Sequence, residues 1–309
     1  MGSVATRKAF GDAILRLGED PRVVVLTGDL KNSTNVEDFA AKFPERFFDA
    51  GIAEANMIGM AAGLAVNGFS AWACSFSCFI TGRQETIRVS VGYNEAPVRI
   101  VGTHVGVGIG DDGATQMALE DIAAMRALPN MTIIQPCDEV ETHRAVEALL
   151  DHPRPAFLRL MRQGTTPVHG DDYRFELGKI ETLREGSDLT FVATGALVQE
   201  CLQAADSLAS DGIQAAVLNA HTLAPFDAER IAEVAAGTGM VVSAEDHNIN
   251  GGLGSAVAEA IAEAGVGTRS IRIGVQGYGQ SGPGEALYDH YGLSAAKIVE
   301  RVKGELKKS

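Results

Sequence analysis

The sequence predicts an α/β protein of two domains, each a mostly parallel sheet covered by helices. Three observations predict it. Short apolar, β-branched runs alternate with stretches of helical periodicity along the whole chain, and strands separated by helices are what a parallel sheet requires. The length of 309 residues suits about two domains. The alternation is interrupted once, at 164–188, by a polar stretch containing Pro167, Gly170, Asp171, Asp172 and Gly186, which reads as a linker. The domains are therefore expected at 1–170 and 171–309.

Taken in order, the first domain opens with a helix at 6–17 and a β-branched strand at 22–27. A strand at 46–52 is followed by a helix at 56–66 built from small residues. A strand at 70–74, a helix at 81–93 and a strand at 98–104 come next, then a helix at 118–127, a strand at 131–135, a helix at 138–149 and a strand at 156–160. In the second domain, strands are predicted at 189–193, 215–218, 240–244 and 270–274, with helices at 197–210, 227–236, 253–264 and 294–303. No low-complexity tract or short-period repeat interrupts the pattern.

With 26 basic and 40 acidic residues the formal charge is −14. That disfavours nucleic acid and anionic membrane surfaces as partners, and any anionic substrate must meet a local cationic site. A hydrophobic fraction of 46% and a charged fraction of 21% fit a globular protein with a sizeable core. The four cysteines, at 74, 78, 137 and 201, are too few for a disulfide framework. Cys74 and Cys78 lack a nearby His or further Cys to complete a zinc site, so buried reduced thiols are expected. No charged segment followed by an apolar run opens the chain and no apolar stretch reaches about 18 residues, so a cytoplasmic location is expected.

Glu54 is the residue that most needs explaining. It follows the strand at 46–52 and precedes a helix of small residues, and a carboxylate in so apolar a setting is costly unless a partner meets it. The plain reading is an acid in the first turn of a helix, favoured by the macrodipole; the chemical one is a partner for the protonatable ring nitrogen of a cofactor. Gly28-Asp29-Leu30-Lys31-Asn32-Ser33-Thr34 ends the first long strand, where ligands gather in open α/β sheets. Phe76 and Phe79, three apart, share a face on a helical turn; they suit plain core or an aromatic wall for a flat heterocycle. Thr103-His104-Val105-Gly106-Val107-Gly108-Ile109-Gly110-Asp111-Asp112-Gly113 is too Gly-rich for a helix and puts a His and two Asp in one loop, a plausible proton shuttle. Arg7 and Arg162 are ordinary surface residues or a fork onto a phosphate.

Together these residues closely resemble the pyrimidine-binding half of transketolase. The signatures are Ala5-Thr6-Arg7-Lys8-Ala9, the 28–34 segment, Ile52-Ala53-Glu54-Ala55-Asn56-Met57 and the stretch from Gly110 to Asp121, in family order. Glu245-Asp246-His247 followed by Gly251-Gly252-Leu253-Gly254 resembles the family's C-terminal domain. The resemblance implies that Glu54 hydrogen-bonds the aminopyrimidine of thiamine diphosphate and favours the imino tautomer that deprotonates the thiazolium carbon, so the cofactor carries the hard chemistry. It implies that Phe76 and Phe79 pack on the pyrimidine, with Gln116 near the cofactor. His104 and Asp112 would bond the sugar hydroxyls, His104 at the reacting centre, and Arg7, Ser33 and Arg162 would hold its terminal phosphate. Gly82 departs from the pattern, standing where the family often carries a larger side chain.

The family's Gly-Asp-Gly metal motif is missing. The Mg²⁺ or Ca²⁺ ligands and the diphosphate site are therefore expected on a separate N-terminal transketolase subunit, with this chain as the other half of a split α2β2 enzyme. It begins where a full-length transketolase would be about halfway through. The activity implied is transfer of a two-carbon ketol unit from a ketose phosphate to an aldose, the second domain serving dimer contacts and stability. The alternatives are the β subunit of a 2-oxo acid dehydrogenase component, which has no need to grip a sugar phosphate, the longer synthase that makes deoxyxylulose phosphate, and a non-catalytic regulatory paralogue.

Overall fold

The computed structural model describes residues 2–308. In chain order its strands are Val4–Ala5 (β1), Val23–Thr27 (β2), Phe47–Asp49 (β3), Ser70–Phe76 (β4), Arg99–Thr103 (β5), Thr132–Ile134 (β6), Ala156–Arg159 (β7) and Gly164–Thr165 (β8) in the first half. Glu181–Arg184 (β9), Leu189–Ala193 (β10), Ala215–Asn219 (β11), Thr222–Ala224 (β12), Met240–Asn248 (β13) and Arg269–Val275 (β14) follow. They assemble into a seven-stranded sheet ordered β12-β6-β7-β5-β4-β2-β3, a five-stranded sheet ordered β14-β13-β10-β11-β9, and the small β1-β8 pair. Within the two large sheets neighbours run parallel except at one edge of each, where β12 and β9 are antiparallel.

The central strands are parallel because helices cross over between them, and this covers both faces. Their sequences show it: every residue of β2, β5, β10 and β11 is buried. Trp72, Phe10 and Phe39 fill one side of the first sheet, and Met57, Ile58 and Ile100 the other. The two-domain mixed α/β architecture is thus as predicted, but the halves interlock. β12 comes from the second half and closes the edge of the first sheet, pairing with Ile133 and Ile134 of β6.

Four predicted elements need correction. The strand at 46–52 stops at Asp49, whose Oδ1 accepts the N–H groups of Asp29 and Gly51 at 2.9 Å each, and Gly51 turns away with φ +69°. The helix at 81–93 is three pieces: Ser77–Thr81 ends at Gly82, Gln84–Thr86 makes one turn, and Ile87–Tyr93 winds as a π-helix. The helix at 118–127 begins only at Asp121. The 164–188 stretch is no loose linker, because it contains β8 and β9 and is pinned by His169. Asp138 Oδ2 accepts from Val168 N (2.7 Å), His169 N (2.8 Å) and His169 Nδ1 (2.9 Å), while His169 Nε2 meets Glu181 Oε2 at 2.9 Å. Burial pushes this imidazole down, but the bonds to Asp138 and Glu181 outweigh it and raise it to about 10, so it is protonated.

Among the described residues no helix is long and apolar enough to cross a membrane. Cys74, Cys137 and Cys201 are buried and unpaired, as expected, whereas Cys78 is half-buried.

Candidate active site

Segments that leave the carboxyl ends of β2, β3, β4, β5 and β7 carry Ser33, Glu54, Phe79, His104 and Arg162 respectively. That edge is where an open parallel sheet binds ligands, because loops diverge there and helix N-termini point at it. A surface cleft of about 650 Å³, lined by Gly92, Tyr93, Asn130 and Pro153, lies instead at the opposite, amino edge of the same strands.

Glu54 is the first residue of the helix Glu54–Val66 and is only 5% exposed. Ser75 Oγ donates to its Oε1 at 3.2 Å, and its second oxygen carries no hydrogen bond among the described residues. Gly28 lies directly beside it: a Cβ there would stand 3.2 Å from the Gly51 carbonyl and 3.4 Å from Glu54 Oε1. The site therefore presents a buried carboxylate with an acceptor to spare, which suits a ring N–H.

Phe76 closes β4 and Phe79 lies one turn on, with ring planes 7° apart and centroids 5.4 Å apart. His104 stacks on Phe76 at 3.7 Å, so three flat rings share one stack. The His104 backbone is left-handed, φ +57°, which is costly for a side chain of this size and is held by the Thr103 Oγ1–His104 Nδ1 contact at 2.9 Å. Burial first, then the charges of Arg7 and Arg162, pushes this imidazole down to about 3. It is a neutral hydrogen-bonding group at physiological pH.

The β1-β8 pair brings the two arginines together: Val4 pairs with Thr165 and Ala5 with Gly164, so Arg7 and Arg162 flank one short ribbon. Met161 N donates to Thr6 Oγ1 at 2.7 Å and fixes that register. Arg7 Nη1 reaches the Ser33 carbonyl at 2.6 Å, while its Nε is buried without a partner among the described residues. Arg162 Nη1 reaches the Ile109 carbonyl at 2.9 Å and Asp112 Oδ2 at 3.1 Å. Burial and the neighbouring Arg162 charge push the Arg7 guanidinium down, the mark of a cationic site to which an anion would bring relief.

Eight of the nine residues singled out from sequence thus fall into three linked groups: Glu54; Phe76, Phe79 and His104; and Arg7, Ser33, Asp112 and Arg162. Gln116 stands apart, its amide oxygen accepting from Thr115 Oγ1. Sequence reasoning missed Asp49, which ties the Gly28 and Gly51 loops together. It also missed the pair beneath the aromatic helix. Asp121 Oδ2 accepts from Ser77 Oγ (2.6 Å) and Arg159 Nε (2.8 Å), with both ionic partners fully buried. An Arg flanked by Leu158 and Leu160 in a strand was the available signal, since a buried charge demands a partner.

The chain matches the family description "Transketolase, pyrimidine binding domain" over residues 2–167 and "Transketolase, C-terminal domain" over residues 178–298. It is 43% identical over 307 residues to a putative transketolase C-terminal section of Methanocaldococcus jannaschii, covering 98% of this chain and 96% of that one. It is 40% identical over 296 residues to a 6-deoxy-6-sulfo-D-fructose transketolase subunit of Clostridium sp. strain MSTE9, covering 95% and 92%. Among solved structures it superposes on a split gene transketolase, described as an inactive beta4 tetramer, with TM-score 0.90, 42% identity and 99% of each chain covered.

Proposed function

The chain belongs to the transketolase family, and from that premise we propose that it is the pyrimidine-binding and C-terminal subunit of a two-chain ketol transferase. Its partner would be a separate subunit holding the diphosphate and divalent cation of thiamine diphosphate. The reaction is transfer of a two-carbon ketol unit from a ketose phosphate to an aldose. The observation that carries this reading is the buried, half-satisfied Glu54 carboxylate at the carboxyl edge of the sheet.

Thiamine diphosphate, when bound, supplies the carbon nucleophile and the electron sink. The residues of this chain fit its pyrimidine end. Glu54 offers an acceptor to a ring nitrogen, Gly28 leaves backbone-close room beside it, and Phe76 and Phe79 give a flat apolar wall. Neutral His104 and the Asp112 carboxylate are the groups that would hold sugar hydroxyls, and because His104 is already neutral it can accept a proton without first losing one. Arg7 and Arg162 would fork onto the terminal anion, helped by Ser33, so that binding far from the reacting carbonyl orients it. The pair of arginines favours this reading over a 2-oxo acid dehydrogenase β subunit, whose substrate needs no such grip. A sulfonate would meet the same arginines, and the name of the Clostridium relative makes a sulfosugar donor a necessary arm of the test.

The test is reconstitution with the partner chain, thiamine diphosphate and Mg²⁺, followed by a ketol-transfer assay with phosphorylated and sulfonated ketoses. The pair should be active and this chain alone should not; strong turnover by the lone chain would overturn the two-chain reading. Glu54→Gln should cost at least about 100-fold in kcat without loss of fold. Near wild-type turnover by that variant removes Glu54 from its role.

A further inference from the structure

The Glu245-Asp246-His247 motif lies toward the end of β13, and its three side chains do different things. Glu245 accepts from Leu253 N (2.7 Å) and Gly254 N (2.8 Å), capping the first turn of the helix Leu253–Glu263, and burial raises its carboxyl to about 7. His247 Nδ1 bonds the Asn248 carbonyl at 2.7 Å, and its Nε2 lies 3.7 Å from Asp121 Oδ1. Asp246, between them, points to the opposite face of the strand. There its Oδ1 accepts from Val107 N (2.8 Å), and its Oδ2 from Gly108 N (3.1 Å) and Tyr288 Oη (2.9 Å).

Val107 and Gly108 belong to the loop that carries His104 and Asp112. That loop has four left-handed residues, His104, Gly106, Gly110 and Gly113, with φ of +57°, +73°, +86° and +79°. Backbone of this kind has little preference of its own and must be held from outside. Much of the holding comes from the second half of the chain. Besides Asp246, Ser281 Oγ donates to the Asp111 carbonyl at 2.6 Å. The fit is close: a Cβ on Gly106 would stand 2.2 Å from the Asp246 carboxylate. Tyr288 Oη also accepts from Gln163 Nε2 at 2.9 Å, next in sequence to Arg162. Asp246 itself is 3% exposed, so these donors compete with no bulk water.

We propose that Asp246 is a positioning residue for ketol transfer, fixing from the C-terminal domain the height at which the 104–113 loop presents His104 and Asp112 to the sugar. This rests on the role given to that loop in the proposed function. A carboxylate is needed because it can accept all three donors at once. Asn at 246 has the same shape but turns an N–H₂ toward at least one donor. The three bonds converge on one side chain, so its loss loosens the Val107–Gly108 stretch as a unit rather than one side chain.

Two measurements test it. The first is amide hydrogen exchange of the full chain: in Asp246→Asn, the Val107 and Gly108 amides should exchange at least about tenfold faster, while β13 keeps its protection. Unchanged exchange overturns the anchoring. The second is kinetics of the reconstituted pair. The KM for the donor ketose should rise and kcat/KM fall on the order of 10–100-fold, with the apparent affinity for thiamine diphosphate unchanged. Tyr288→Phe, which removes one donor and leaves the carboxylate, should move the ketose KM in the same direction by less. Unchanged ketose KM in both folded variants overturns the proposal, as does an equal loss toward ketose and cofactor, which marks a merely structural role. A wild-type pair with no ketol transfer overturns the proposed function instead, and the exchange arm still decides whether Asp246 holds the loop.

Discussion

Arg159→Met removes one partner of the buried ion pair beneath the aromatic helix. Asp121 is 1% exposed and would keep only Ser77 Oγ at 2.6 Å and its bond to the Ile122 N–H at 3.0 Å. The arginine's bonds to the Ala118 and Asp246 carbonyls, 3.0 Å each, vanish as well. Stranding one charge of a buried pair costs about 3–5 kcal/mol, which corresponds to a fall of about 1–2 M in the urea midpoint. Trp72, fully buried in the core of the first sheet, is the chain's only tryptophan, so its fluorescence follows that transition. The pH dependence adds a signature. In the wild type, burial pushes the Asp121 carboxyl up, but the Arg159 and His247 charges and the bonds from Arg159 and Ser77 hold it below the usual range. Its stabilising contribution is therefore present above the unfolded value of about 3.9 and fades as pH falls through the folded one. In Arg159→Met the Arg159 charge and bond are gone and only Ser77, the Ile122 N–H and His247 still oppose burial, so the carboxyl moves up and the deficit narrows as the solution is acidified. Adding Asp121→Asn should restore part of the loss, by 1 kcal/mol or more on the order of measured coupling energies. A midpoint within about 0.3 M of wild type at neutral pH would refute the reasoning.

Other outcomes follow from the same geometry. His169 has a raised folded value of about 10, so its contribution is full below the unfolded value of about 6.5 and is lost as pH rises toward 10; thermal melts of wild type and His169→Gln should converge between pH 7 and 10. His104 is held down to about 3, so its ring resonances should show no inflection between pH 5 and 8, and an inflection near the ordinary histidine value would contradict the burial argument. Because that shift is downward, its effect on folding has the opposite sign, stability falling as pH drops below the unfolded value. Arg162→Gln should raise the KM for a phosphorylated ketose roughly 10–100-fold, the worth of a hydrogen bond to a charged group. The unphosphorylated sugar should be much less affected, and equal effects on both would remove Arg162 from the anion site.

The parts of this fold that were legible in sequence are those whose signal is local. β2, β10 and β11 are short, largely apolar runs, and their five-residue length between polar or turn-forming flanks marks them as buried parallel strands rather than helices. β12 was invisible because three residues, Thr222–Ala224, carry no period, and their partner Ile134 lies far back in the chain. β9 hid in a polar stretch because it is an edge strand, half-buried throughout. The π-helix at Ile87–Tyr93 keeps helical composition, and only its hydrogen bonding betrays it. At the site, Glu54 and His104 stood out because charge or Gly-rich loop chemistry clashed with the local apolar pattern. Asp246 stood out only as part of a C-terminal-domain signature and not as a site residue, since its acceptors serve amides 138 and 139 residues away.

The strand that crosses from one half to the other limits how this protein can be taken apart. Composition invites a cut near residue 170, yet a fragment ending there would lack β12 and leave β6 with a bare row of amides and carbonyls, a template for self-association. Swapping one half for that of a distant homologue must carry the 222–224 stitch along with its receiving edge. Inheritance of the two halves is thereby coupled by the three residues of one edge strand.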